Sequence, residues 1–277
     1  NDIASIDVVL GDNIRYNLDY YIENGFNLSF GFKSYYNQFN RNIGKQISTI
    51  ASNSTEFNSI NVDYTDMTNQ VYFQSLFVQK FLIGGGVELK FLKIKSGTLA
   101  NVDPVIDKSS YLSLFGYLKF DSFDNKYFPK KGWYFTGDLQ SFLVSSNYTG
   151  EFQPFSIAKG DFGVAATLFK NATVKFQTDA GFSFGQDSVP FLNFVLGGYG
   201  YSPLNGFKYL YGYDYLSLVA NSYVKSTATV DYEFYKKNHI NFSANFANIG
   251  DRIFESVNWV SVPKYSGYAV GYGLETV

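Results

Sequence analysis

The stretch "SLVANSYVKSTATVDYEFY", residues 217–235, sets Leu218, Ala220, Val224, Ala228, Val230 and Phe234 on one side of an extended chain. Asn221, Lys225, Thr227, Asp231 and Glu233 fall on the other. Successive side chains of a strand point to opposite faces, so a period of two over this length reads as one long strand with an apolar and a polar face.

The same period recurs along the chain. In "NIRYNLDYYIENG", Ile14, Tyr16, Leu18, Tyr20 and Ile22 oppose Arg15, Asn17, Asp19 and Tyr21. In "GFNLSFGFKS", Phe26, Leu28, Phe30 and Phe32 oppose Asn27, Ser29, Gly31 and Lys33. "YLSLFGYLKFDS" sets Leu112, Leu114, Leu118 and Phe120 against Ser113, Lys119 and Asp121. "NATVKFQTDAGFSFG" sets Val174, Phe176, Ala180, Phe182 and Phe184 against Lys175, Gln177, Asp179 and Ser183. About twelve such strands of roughly 8–16 residues suit a membrane barrel better than a sandwich of short strands. Helical patterning is confined to "ANIGDRIFESV" (247–257), which holds at most one turn.

Composition agrees. The 277 residues carry a formal charge of -2 with only 17% charged residues, which argues against a nucleic-acid partner. Aromatics reach 20%, far above ordinary soluble usage. No run of about 18 apolar residues offers a transmembrane helix. Composition does not shift along the chain, so residues 1–277 read as a single domain. The opening "NDIASIDVV" and the closing "GYAVGYGLETV" both read as cuts inside strands of a longer chain.

Connections alternate in kind. Tight ones fall at 23–25, around 79–82, at Pro129–Gly132 and near 169–171. Longer or polar ones fall at 38–58, 96–108, 144–156 and 186–216. Short turns at one end and long loops at the other are the asymmetry of an outer-membrane barrel. Around the Pro129–Gly132 turn stand Phe123, Tyr127, Phe128, Trp133, Tyr134 and Phe135. Rings beside a polar turn predict an interfacial girdle, each ring in acyl chain and its polar tip in water.

"FDSFDNKYFPKKGWYF" resembles the Asp-x-x-Asp-x-x-x-Phe-Pro-x-x-Gly signature of the bacterial surface antigen superfamily. Asp121, Asp124, Phe128, Pro129 and Gly132 fall on its pattern. "FVLGGYGYSPLNGFKYLYGYDYLS" resembles the long loop that those barrels fold into their lumen. Gly197 and Gly198 match its start, and Leu210-Tyr211-Gly212-Tyr213 stands in place of its Val-Arg-Gly-Phe/Tyr tip. The superfamily includes BamA-like insertases and two-partner secretion transporters, and Tyr211 stands where their arginine would be. The tip variant is similar to the C-terminal barrel of Bacteroidetes-type patatin-like phospholipases, and the resemblance runs over roughly residues 1–277. It implies an all-β antiparallel transmembrane barrel of sixteen strands; counting with the short turn at 129–132 fixed makes residues 3–10 the third and 265–277 the fourteenth, with two strands expected beyond each end.

The resemblance further implies a place in the bacterial outer membrane, with membrane lipid and lipopolysaccharide around the barrel. It also implies a covalently linked patatin domain, and a homodimer or larger envelope complex as candidate assembly. The function expected is to anchor or export that lipase domain; the alternatives are an insertase or secretion pore, and a diffusion porin. No cofactor is expected. "GFSFG" (181–185) matches Gly-x-Ser-x-Gly, but Ser183 stands mid-strand and not at the strand-to-helix elbow that such a nucleophile needs, so no catalytic residue is assigned. His239, the only histidine, stands beside a Lys-Lys-Asn turn without companions at metal-ligand spacing, which predicts a surface role and no metal. Lys175, Asp179, Lys225, Asp231 and Glu233 form a lumenal charge ladder, read as a solvated inner wall, with a docking surface for the 186–216 loop as the alternative. The 186–216 loop is expected to fold inward with Tyr211 and Tyr213 held by rings and hydrogen bonds in place of a salt bridge.

Overall fold

The computed structural model describes residues 2–11, 13–24, 28–44, 59–78, 80–96, 105–146, 152–185, 192–199, 206–250 and 265–275; side chains of 41–44, 59–60 and 106 are outside the description. Twelve strands form one antiparallel sheet: β1 (Asp2–Val9), β2 (Asn13–Asn24), β3 (Leu28–Gly44), β4 (Ser59–Phe77), β5 (Phe81–Ser96), β6 (Val105–Asp121), β7 (Lys131–Ser146), β8 (Phe155–Phe169), β9 (Ala172–Gly185), β13 (Ser222–Tyr235), β14 (Asn238–Gly250) and β15 (Tyr265–Leu274). Each strand pairs with its sequence neighbour except where β13 follows β9. Between those two the chain inserts a small sheet of β10 (Phe194–Leu196), β11 (Phe207–Lys208) and β12 (Leu218–Ala220). Strands β1 and β15 are the sheet's two edges among the described residues.

The outward face is apolar throughout the middle of the strands. Ile6, Phe30, Val71, Phe73, Leu139 and Phe184 are each at least half exposed on it. In water such a surface would be an aggregation site; in hydrocarbon it is the favourable one. The backbone must then satisfy its own polar groups, which continuous ladders do for every strand between the two edges.

Residues 217–235 are not one strand: the chain breaks at Asn221, and Leu218 and Ala220 pair with β10 inside the molecule. The strands also run further than their patterns suggest, β3 to Gly44, β6 back to Val105 and β7 to Ser146, so the connections are shorter. The reason is that rim positions carry polar residues on both faces, which hides the alternation. The proposed turn at 247–257 is strand as far as Gly250, and its remainder lies outside the described residues.

The inner wall has two zones. Toward the short turns it is polar, with a cavity of about 350 Å³ lined by Asp19, Lys33, Gln70, Glu88, Asp138 and Lys159. Toward the long loops it is an apolar core, where Leu92, Ile94, Tyr111 and Phe142 from the wall pack with Phe194, Leu196 and Leu210 from the insertion. A buried cation also sits in this wall: Lys90 Nζ lies 2.9 Å from the Asp66 carboxylate.

The two faces predict different costs for the same charge. Val71→Arg, outward near the middle of β4, should lower stability in bilayers by about 2–4 kcal/mol, and Gln70→Arg, facing the polar cavity, by less than ~1 kcal/mol. Thr227, which the alternation alone offers as a tolerant lumenal site, is only 2% exposed under the insertion and is unsuitable. Equilibrium unfolding in phospholipid vesicles measures the difference.

Candidate functional site

The insertion between β9 and β13 forms a plug against the inner wall of β9, β13, β14 and β15. Its base is the β10–β12 sheet, joined by a bridge from Gly198 to Leu210. Gly197 takes φ 127° where the chain turns out of β10; a Cβ there would run into the Asp214 carbonyl oxygen, so no other residue fits. Phe194 packs edge-on against Tyr223 of β13, with centroids 4.9 Å apart, over the space left by Gly181.

At the tip, the expected docking residues meet the wall. The Tyr211 amide donates to Asn245 Oδ1 of β14 at 2.7 Å. The Tyr213 ring meets Tyr265 of β15 at 5.8 Å, and its hydroxyl accepts from the Ser266 amide at 3.3 Å. Gly212 lies against Gly267 of β15, and a side chain at Gly267 would strike the Tyr211 carbonyl.

As expected, hydrogen bonds and a ring contact hold Tyr211 and Tyr213, and the ion pairs lie beside the tip, in the wall and at Lys208. Lys225 of β13, 1% exposed, lies 3.0 Å from Asp179 of β9. Its ammonium also donates to the Tyr209 carbonyl at 3.1 Å and stands 3.7 Å from the centre of the Tyr209 ring. Lys208 of the plug approaches the same Asp179 at 3.9 Å. Asp179 and Lys225 therefore form a docking surface and not a solvated wall. With Tyr211 at the tip, the cation comes from the wall and the plug supplies a carbonyl and a π-face.

At the short-turn end, the signature residues build a second contact. The connection is not a tight turn at 129–132 but the whole of 122–130, with β7 already running from Lys131. Asp121 accepts from the Phe123 amide at 2.8 Å, and Asp124 accepts from the amides of Lys130 and Lys131. Gly132 has φ 112°, and a Cβ there would lie 2.5 Å from the Ser122 carbonyl oxygen, so a larger residue would unseat the loop. Pro129 is buried, and Phe128 turns inward to stack on His239 at 4.1 Å.

This divides the predicted girdle. Trp133 stacks on Phe120 at 4.2 Å on the lipid side, whereas Phe123 and Tyr134 meet edge-on at 5.2 Å inside. His239 is likewise not a surface residue. It is 1% exposed, its Nδ1–H donates to Asp231 at 2.7 Å, and Phe128 covers it. The neighbouring β15 leaves room, since a Cβ at Gly273 would lie 2.6 Å from the Phe128 ring. Sequence reasoning missed Lys208, Tyr209, Asn245 and Gly267 as plug contacts. Small inner-face residues at every second position of "GYAVGYG", Gly267, Ala269, Gly271 and Gly273, were the available signal for β15. Ser183 continues the regular ladder, opposite Ile157 in β8.

Removing one partner of a buried ion pair leaves the other charge stranded. Lys225→Met should therefore cost about 3–5 kcal/mol, and Lys225→Arg distinctly less, measured by equilibrium unfolding. Gly267→Val should expel the tip, read as new thiol labelling of Tyr211→Cys.

Asp124 adds a pH dependence. Slight burial works against its charge, but the amides of Lys130 and Lys131 outweigh that and hold the carboxyl below its ordinary value. A lowered folded pKa stabilises above the unfolded value of about 3.9 and is lost as pH falls through the folded one. The Lys130 and Lys131 amides should thus stay protected from exchange at pH 4 and lose protection in stronger acid, and Asp124→Asn should speed their exchange at neutral pH.

The geometry has counterparts among known proteins. The sequence profile of the OMP85 superfamily matches residues 1–277. The structure is similar to BamA from Haemophilus ducreyi lacking POTRA domains 1–3, with TM-score 0.64 and 13% identity over 94% of this chain and 55% of that one. It is also similar to CdiB from Acinetobacter baumannii, with TM-score 0.60 and 10% identity over 95% of this chain and 44% of that one. The chain thus spans about half the length of these proteins. No curated protein matches it in sequence. With a sheet apolar outside, a plug docked inside and a profile match from end to end, the chain belongs to the OMP85 superfamily and is a β-barrel of the bacterial outer membrane.

Proposed function

We propose that this barrel holds a patatin-like lipase domain at the outer membrane, as anchor or exporter, and performs no acyl hydrolysis itself. The observation that supports this reading is the seating of the plug. Phe194, Leu196 and Leu210 are nearly or fully buried in a core shared with the wall; the tip rests on Asn245, and Lys225 holds Tyr209 just before it, without an arginine. A lumen occupied in this way favours a fixed anchor over a diffusion pore. The tip Leu210-Tyr211-Gly212-Tyr213 is the variant that resembles patatin-linked barrels.

Two measurements on the whole protein from which this chain comes test the proposal. Purified from outer membranes, it should hydrolyse phosphatidylcholine, lose that activity to a serine-directed inhibitor, and keep it in Ser183→Ala. Depleting it should leave the assembly of other outer-membrane barrels intact. Absence of hydrolysis together with failed barrel assembly would assign the chain to an insertase; absence of hydrolysis with loss of one secreted protein would assign it to a secretion pore.

A further inference from the structure

On β5 the outward row runs Ile83, Val87, Leu89 and Phe91, each 44–46% exposed, and its next member is Lys93. On β6 the outward row runs from Leu114 through Leu112 and Ser110 to Lys108. Lys93 and Lys108 are Cα partners, so two lysine side chains leave neighbouring strands directly opposite one another on one face. Lys95 follows two residues beyond Lys93 on that face, beside Val105.

Height places them at the membrane boundary. The apolar row of β5 begins at Phe81 and ends at Phe91. Ten residues at ~3.3 Å, tilted by about 40°, rise about 25 Å, which is the height of a barrel's hydrocarbon band. Lys93 is the first outward position past it. The chain leaves β5 here toward the 97–104 connection, at the same end as 45–58 and 251–264, which is the long-loop end and so the external leaflet.

The arrangement is unfavourable as it stands. Like charges directly opposite across a strand pair destabilise it. No ion pair engages Lys93, Lys95 or Lys108 among the described residues. The carboxylate opposite Lys95, Asp63, accepts from Asn40 Nδ2 at 2.6 Å and sets one negative charge against the three ammonium groups of this face. An anion between the two ammonium groups would remove the repulsion, and a phosphate attached to acyl chains would place those chains on Leu89, Phe91 and Leu114 directly below.

We propose that Lys93 and Lys108, with Lys95 beside them, bind the phosphate-bearing headgroup of an anionic lipid in the external leaflet. The chemistry asks for a compact anion near the acyl chains, which lysine meets as a point charge.

The test uses the purified protein in phosphatidylcholine vesicles with or without a bis-phosphorylated glycolipid. The parent protein should retain the glycolipid through detergent extraction and gain thermal stability from it. Lys93→Gln/Lys108→Gln should retain about tenfold less or lower still and lose most of that gain. Lys131→Gln, at the start of β7 on the opposite rim, should behave as the parent. Equal retention by the double variant would overturn the proposal. So would an equal gain from inorganic phosphate alone, which would make the ligand a free ion, or a concentration-dependent dimer abolished by the double variant, which would make the patch a protein interface.

Discussion

A sheet immersed in hydrocarbon must satisfy every backbone polar group within itself, and this constraint organises the rest of the molecule. It demands long strands in unbroken ladders, and the strands between the two edges, β1 and β15, comply among the described residues with bulges at only a few positions. It also reverses the usual economy of side chains. The apolar face turns outward to lipid, and every polar, charged or bulky group without a place there must be accommodated inside.

The interior meets that demand in two ways. Toward the short turns the wall stays polar and pairs its own groups: Tyr72 donates to Asp19, Gln70 to Glu88, and Tyr134 to Asp161. Toward the long loops the wall turns apolar and the plug completes it as a core. The boundary between the zones is where Lys225 and Asp179 lie. A buried ion pair is costly to desolvate and rewards only good geometry. Here the lysine has a carboxylate, a carbonyl and a ring around it, so the pair acts chiefly to fix where the plug sits.

The two docked segments press on the same strands from opposite ends. Phe128 covers His239 at one end of β14, and Tyr211 rests on Asn245 further along it. Strand β15 accommodates both by presenting glycine at 267 and 273. The signature of the 120–132 region and the glycine-rich insertion, far apart in sequence, thus converge on one pair of strands. A change in how β14 meets β15 would be felt by both.

How much of this was legible beforehand depends on distance along the chain. Period-two patterning is a local property of pleated backbone, so the strands and their lipid face could be read from runs such as Ile14 to Ile22. The capping by Asp124 of amides six and seven residues on was local enough for a motif to mark it. What lies inside was not legible, because an inward residue meets whatever the fold brings to it. His239 looked like a surface histidine beside a turn until Phe128 covered it. Leu218 and Ala220 matched the lipid face of a strand until the break at Asn221 turned them into the plug. Lys225 looked solvated until Tyr209 came down over it. Along the main strands the sequence by itself determined which side of the sheet a residue such as Lys225 faces, and only the tertiary structure decided what stands there and that Leu218 and Ala220 leave the sheet, because the side is set by neighbours one bond away and the surroundings by segments returning through the lumen.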